Sequence, residues 1–560
     1  MHSIRRTPSL IALLALVGGG ALATSVVAHA QAVEQASFTT QSQSVMQTTQ
    51  AQQMTKDNKI PTRGFGGPGS MLVDPANPQV IVAAAANLRA LQCHLIRSDD
   101  AGQTWHILPS APAPAGFPNC VVSNAGVPEA SIVWGKNGTL YYARAGYGEG
   151  EGIRAGHISI LLQRSTDLGN SWTTTVVDNN RGKSGTTAGS DYGVTGMAVD
   201  SAGKSDVIYV GFVRNYPQAP TGSPLKDGEV DMAVSSDGGS SFGQPVNLDT
   251  FSHVTTTING KTYPLIGMSF FGNPFLTAHN GTVLAVMGAQ FTGAASPPGV
   301  NQNYVALPQL LARSTDRGQS WTVSALGPPT YTANGGGTGA MTGLGWAPKG
   351  GGQGTFVAAY AFTPATSATS GNQQIVVQRS SDGGQTWTDP VAINDDDPSL
   401  QWTSFYPQMN VAPNGRVDVV FETNRNQASD HFQVYYTYSN DGGQTWAHNV
   451  KVSDQPINFD FGISYNGDFR NTPGVGSANE FAAVGWADPR NANASTQTQD
   501  DYSAIVQFEP IPTGNALWLP ILVAVIDGLA VAALALGAIV LVRRRRQAAP
   551  PRREEQAAGR

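Results

Sequence analysis

From about residue 65 to residue 510, apolar and polar positions alternate in short runs that end at Gly, Pro, Asn or Asp. A period of two places successive side chains on opposite faces of an extended strand. A unit of short strand, turn and longer apolar strand recurs seven times, at Gly69 to Ala86, Pro128 to Ala143, Thr195 to Val213, Pro274 to Gln290, Met341 to Phe362, Pro407 to Phe421 and Pro473 to Trp486. The last unit continues into a strand at Tyr502 to Phe508. Two continuous apolar runs, Leu10 to Val27 and Ala516 to Val542, break this pattern.

The first run follows Arg5 and Arg6 and ends at Ala28-His29-Ala30, which reads as a secretory leader over residues 1–30. The second has 27 residues with one charge, Asp527, enough to predict a tilted spanning helix over residues 516–542. Arg543 to Arg546 follow directly, predicting a basic cytoplasmic tail over 543–560 and an extracellular N-terminal part. The expected location is thus the cell membrane, single-pass. Residues 31–64, rich in Gln, Thr and Ser, read as a polar spacer.

Within residues 65–510 the pattern Ser-x-Asp-x-Gly-x-Ser/Thr-aromatic occurs six times, at Ser98 to Trp105, Ser165 to Trp172, Ser235 to Phe242, Ser314 to Trp321, Ser380 to Trp387 and Ser439 to Trp446. The period, roughly 60 to 80 residues, signals repeat architecture. Ser and Asp can accept bonds from turn amides while Gly supplies a positive φ, so each segment predicts a hairpin turn between antiparallel strands. Asp100, Asp167, Asp237, Asp316, Asp382 and Asp441 then stabilise turns and do not act as catalysts.

These segments resemble the Asp-box, or bacterial neuraminidase repeat. The resemblance implies a sialidase-like all-β propeller of antiparallel four-stranded blades, with each box linking a blade's third and fourth strands. The seventh unit favours seven blades, closed by a strand near Ala36 to Thr40. Six blades, as in the sialidases, is the alternative. The motif says little of activity, because sialidases, xyloglucan-cleaving enzymes, sorting receptors and assembly factors all carry it.

Only 13% of residues are charged against 64 Gly and 35 Pro, which excludes a helical protein, and a net charge of −6 excludes a broad nucleic-acid surface. Cys93 and Cys120 are the two cysteines, and in an exported chain they predict one disulfide. No spacing of histidines, phosphate loop or nucleophile elbow is present, so no metal or cofactor is expected.

Arg89, Arg144, Arg214, Arg425 and Arg490 stand just past five second strands, and Arg470 precedes the last unit's first strand. Guanidinium groups converging on one concave face would hold a carboxylate or sulfate. The competing expectation is that each bridges to a neighbouring blade, with Glu422, Asp468 and Asp488 as partners.

Sialidase chemistry, as the resemblance implies it, needs three arginines, a Tyr activated by a Glu, and an Asp. Here Lys59-Ile60-Pro61-Thr62-Arg63 stands where Arg-Ile-Pro is usual, and Asn87-Leu88-Arg89 where an Asp is usual. Tyr406, Glu422 and Glu129 are the catalytic candidates. Three functions follow as expectations. The first is a surface propeller handling extracellular glycans, with exo-glycosidase action on acidic sugars left open; the second is a propeller that binds a glycan or surface protein without turnover; the third is an envelope assembly factor.

Overall fold

The computed structural model describes residues 33–508 apart from 39–44, 46, 55–61, 64–70, 88–91, 109–118, 121–129, 148–157, 180–191, 215–228, 268–274, 292–306, 331–341, 349–353, 364–372, 401, 428–430, 459–472 and 493–499. The chain folds as a ring of seven antiparallel blades. The fifth is representative: Thr342–Ala347, Thr355–Phe362, Gln374–Ser380 and Val391–Ala392 lie side by side in chain order. Each blade packs face to face on the next, so a second strand such as Thr355–Phe362 is buried at all eight positions and loses the in–out alternation of a one-sided sheet.

The number of seams settles the number of blades. Seven apolar clusters each join two neighbouring blades. One joins the seventh to the first, through Phe481, Ala483 and Ile505 against Met71, Ile81 and Ile96. At that seam Gly476 lies so near Leu72 that a Cβ would meet its backbone at 3.1 Å. A side chain there would push the closing strands apart.

The seventh blade has three strands of its own among the described residues, Gly474–Ser477, Phe481–Asp488 and Asp500–Gln507. A fourth comes from Gln47–Thr48 and Gln52–Gln53, which pair antiparallel with Asp500–Gln507. The expected closing segment, Ala36 to Thr40, lies earlier on the same path. Glu34–Gln35 runs parallel to Val391–Ala392 and Ser37–Phe38 parallel to Thr445–Trp446, on the fifth and sixth blades. Within the expected spacer, the strands between Glu34 and Gln53 therefore form a strap along the outer edges of three blades, and Thr62–Arg63 pairs with Ile81–Asn87 in the first.

One expectation is corrected. No helix among the described residues is long and apolar enough to cross a membrane, and the fold that they form is an all-β seven-bladed propeller, so the appended spanning helix is not supported. Residues 516–542, on which that expectation fell, lie outside the described residues, as does the leader.

All six boxes form one turn. In the second, the Ser165 hydroxyl donates to Asp167 (2.7 Å) and accepts from the Gly169 amide (2.8 Å), while Asp167 accepts from the amide and hydroxyl of Ser171 at 2.8 and 2.6 Å. The backbone is left-handed at two successive positions, as at Leu168 and Gly169 (φ 58° and 86°). Gly fills the second in every box, where a Cβ at Gly169 would come within 2.6 Å of Leu108. The Ser171 hydroxyl, then that of Ser165, pulls Asp167 down to about 2, and Ser320 does the same for Asp316. In Asp237 and Asp382 burial works the other way but is outweighed by the equivalent bonds, and both also come to about 2.

Arg416 rivets the sixth blade to the seventh. It is fully buried, forks onto Asp418 at 2.6 and 2.9 Å, and donates to the carbonyls of Ala478, Asn479 and Phe481 in the seventh blade's first hairpin. Its guanidinium lies 4.0 Å from the centre of the Phe508 ring, and Tyr436 donates to Asp418 at 2.6 Å. Arg416→Met leaves Asp418 buried and unpaired, for an expected loss of about 3–5 kcal/mol in chemical denaturation. Arg416→Met with Asp418→Leu should recover most of it; a loss undiminished in the double variant would show that the carbonyl contacts, not the ion pair, carry the effect.

Candidate functional site

Second and fourth strands end on one face of the ring, opposite the boxes. On that face Arg425 and Arg490 stand one blade apart in matching positions. Arg425 donates to Asp395 (2.6 Å) and Asp396, which follow the fifth blade's fourth strand, and lies 4.9 Å from the centre of the Tyr435 ring. Arg490 donates to Asp454 (2.8 Å), which follows the sixth blade's fourth strand, and to Asp488 (2.6 Å), and lies 4.0 Å from the Tyr502 ring centre. Each arginine thus clamps its blade to the preceding one. For Arg490, burial works against the charge but is outweighed by the bonds to Asp488 and Asp454, and its pKa goes up.

Asp395 and Asp454 escaped the sequence reading, yet a signal was present. Val391-Ala392-Ile393-Asn394-Asp395 aligns with Val450-Lys451-Val452-Ser453-Asp454. In both, the penultimate residue accepts from a third-strand amide, Ile375 to Asn394 at 2.9 Å and Val434 to Ser453 at 3.0 Å. Aligning the units past their boxes would have found the pair.

Glu422 lies on the second strand of the sixth blade, Val417–Thr423, and is fully buried. It shares a strand face with Val420, which packs in the seam cluster with Trp486 and Tyr502. Neither carboxyl oxygen has a hydrogen-bond partner among the described residues. Burial, and then the charge of Asp488 across the seam, push its pKa well above the usual carboxylate range. Asp488, also fully buried, accepts from the Arg490 side chain and amide and from Trp486 Nε1 (3.3 Å). Two carboxyl groups therefore face one seam, one anchored by a guanidinium and one bare.

Tyr406 sits at a bulge in Ser404–Val411, where pairing shifts between Phe405, opposite Glu422, and Gln408. Its φ is 53°. The other non-glycine residues with positive φ among those described are asparagines or fourth residues of boxes. A buried tyrosine held there, edge-on to Phe405 at 4.7 Å, marks local strain beside Glu422.

Arg144 and Arg214 lie on the second and third blades. Arg144 is buried in Leu140–Tyr147 with its Nε 3.1 Å from Gln163 Oε1. Arg214 ends Val207–Arg214, its backbone paired with Tyr192 and Glu229. Arg89, Arg470, Glu129 and Asp468 lie outside the described residues, as do the side chains of Arg214, Cys93 and Cys120. The backbones of Cys93 and Cys120 pair with Ala86 and Gly146 in the first and second blades.

Six boxes in one geometry, on blades whose seams close a ring, decide the fold. The chain is a seven-bladed β-propeller whose six repeated turns share one geometry. No protein-family model matches it, and no curated protein matches it. Among solved structures it is similar to the Hadza microbial sialidase Hz136, at 14% identity and a TM-score of 0.41 over 74% of this chain and 73% of that one. It is also similar to Trypanosoma rangeli sialidase in complex with 2,3-difluorosialic acid, at 14% identity and a TM-score of 0.40 over 72% of this chain and 56% of that one. The α-L-arabinofuranosidase Arb93A of Fusarium graminearum follows at 13% and 0.36, over 65% and 93%. These likenesses concern the fold alone, and the propeller is not a close match to active sialidases.

The bare carboxyl of Glu422 carries a pH signature. With its folded pKa raised above the ordinary 4.5, the folded propeller keeps a proton that the unfolded chain releases, so stability falls as pH rises past that value. Glu422→Gln removes the term. The variant should be more stable than the parent at neutral pH and lose that advantage as pH falls below the ordinary carboxylate range, as read from denaturation midpoints. An unchanged difference across that range would mean that Glu422 ionises freely in the folded protein.

Proposed function

We propose that this is an exported propeller that handles extracellular glycans at the mouth between its sixth and seventh blades. The observation that carries the reading is Glu422, buried in a seam without a hydrogen-bond partner among the described residues, next to Asp488 and the strained Tyr406. Buried unsatisfied polar groups and strained backbone are costly to keep and cluster where ligands are held. Saccharide hydroxyls are donors of the kind such a carboxyl lacks. The leader-like residues 1–30 support export. A surface protein as partner stays an outcome of the binding test.

The arginines argue for binding ahead of sialidase chemistry, because Arg425 and Arg490 already hold acidic partners within the protein. Hydrolysis is the second reading, favoured by the Glu422 and Asp488 pair. Glycosidases commonly set a carboxyl group of raised pKa against an ionised one, and burial raises the pKa of Glu422.

Two assays on the full-length chain test these readings. Binding to an immobilised glycan panel should be detectable and fall about tenfold in Glu422→Gln, the equivalent of one lost hydrogen bond. Hydrolysis of fluorogenic sialosides should stay at background. Turnover abolished in both Glu422→Gln and Asp488→Asn would establish the hydrolase, and a folded protein that retains no glycan would sink the glycan reading.

A further inference from the structure

A strand at the rim of a sheet offers unpaired amides and carbonyls to any extended chain that meets it, and proteins blunt such edges. This ring blunts its fourth strands in three ways. In the first, third, fifth and sixth blades the strand is two residues long. In the fourth blade Thr322–Thr330 carries Pro328 and Pro329, and in the seventh Gln47–Thr48 and Gln52–Gln53 cover the edge.

The second blade has none of these devices. Its fourth strand, Thr173–Asn179, has seven residues without a proline or a lysine, and it forms the outer end of its sheet among the described residues. Pairing shifts at Val177, so the regular stretch is Thr173 to Val176, opposite Arg164 to Leu161 on the inner side. That stretch carries no charge. The Thr175 hydroxyl donates to the Gly239 carbonyl of the third blade at 2.7 Å, which holds the strand in place. Val176 is 43% exposed, and Ile107, on the fourth strand of the adjoining first blade, is 56% exposed. The N-terminal strap lies on the fifth to seventh blades, and the chain is back in the first at Thr62–Arg63.

This edge is complementary to itself. A two-fold axis through the strand lays Thr173 to Val176 antiparallel to the same residues of another ring, so that β-branched side chains meet their like and no equal charges are opposed. Both partners are already held as strands, which spares the cost of ordering a flexible segment. We propose that a second copy of this chain docks on the outer edge of the second blade, joining the two blades into one continuous sheet. The contact lies on the circumference of the ring and leaves both mouths open.

Sedimentation equilibrium of the full-length chain, in a detergent that keeps the apolar runs 516–542 of different molecules apart, tests it. A monomer–dimer equilibrium is expected, and hydrogen exchange at the amides of residues 173 to 176 should slow as the dimer forms. Val176→Lys, at an exposed position that folding tolerates, should raise the dissociation constant at least about tenfold, since two lysines then face one axis. Thr322→Lys, exposed on the proline-guarded edge of the fourth blade, should leave it unchanged. A protein that stays monomeric up to its solubility limit, a dimer that Val176→Lys does not weaken, or exchange at 173 to 176 that is indifferent to concentration would overturn the proposal.

Discussion

Everything in this molecule depends on closing the ring. A blade is a small sheet that cannot bury both faces alone, and only a closed circuit gives each one two neighbours. The weak point is the seventh blade, whose chain offers three strands. Its fourth comes from Gln47–Gln53, so residues distant in sequence must meet before any seam is complete. Arg416 and Gly476 sit on the two sides of that blade, one fastening it to the sixth and the other letting it press against the first. The strap then extends closure outward, lying along two further blades and ending with Phe38 stacked on His448 at 5.5 Å.

The two faces of the ring carry different chemistry. On the box face the aspartates are consumed by their own turns, each accepting from hydroxyls and amides within a few residues, and their low pKa values reflect that local capture. On the opposite face carboxylates are captured across seams, and this makes the latter face sensitive to how the blades sit. Arg425 and Arg490 show a repeated solution, in which an arginine after the second strand, a tyrosine on the third and an aspartate from the preceding blade form one clamp. Glu422 departs from that solution because its charge partner is another acid. A carboxyl group in that setting costs stability, and the protein keeps it.

Such a mouth differs from the convergent arginine funnel expected of sialidase chemistry. Guanidinium groups are present, but Arg425 and Arg490 are turned to their own neighbours, each bonded to two carboxylates in its own seam. Similar rings can therefore present different electrostatic faces to a ligand, which is why fold and activity separate so readily in propellers.

The repeats were legible from residues alone because their determinants are local. A Ser-x-Asp-x-Gly turn satisfies its bonds within eight residues, and a period-two apolar run needs only a neighbouring strand, so the six boxes and the seven units lie in the structure where the pattern predicts them. Closure was legible only in outline. The polar segment 45–54 has little apolar signal, since its strands pair through backbone bonds along an edge, and nothing in Gln47 or Gln52 distinguishes them from Ala36 to Thr40. Glu422 was visible as a candidate, whereas its lack of a partner and its confrontation with Asp488 arise where two blades meet. Likewise, whether Arg425 and Arg490 face a ligand or a neighbour depends on Asp395 and Asp454, 30 and 36 residues away. Turn chemistry is written in short stretches of sequence; the charge balance of a seam exists only once the ring has closed.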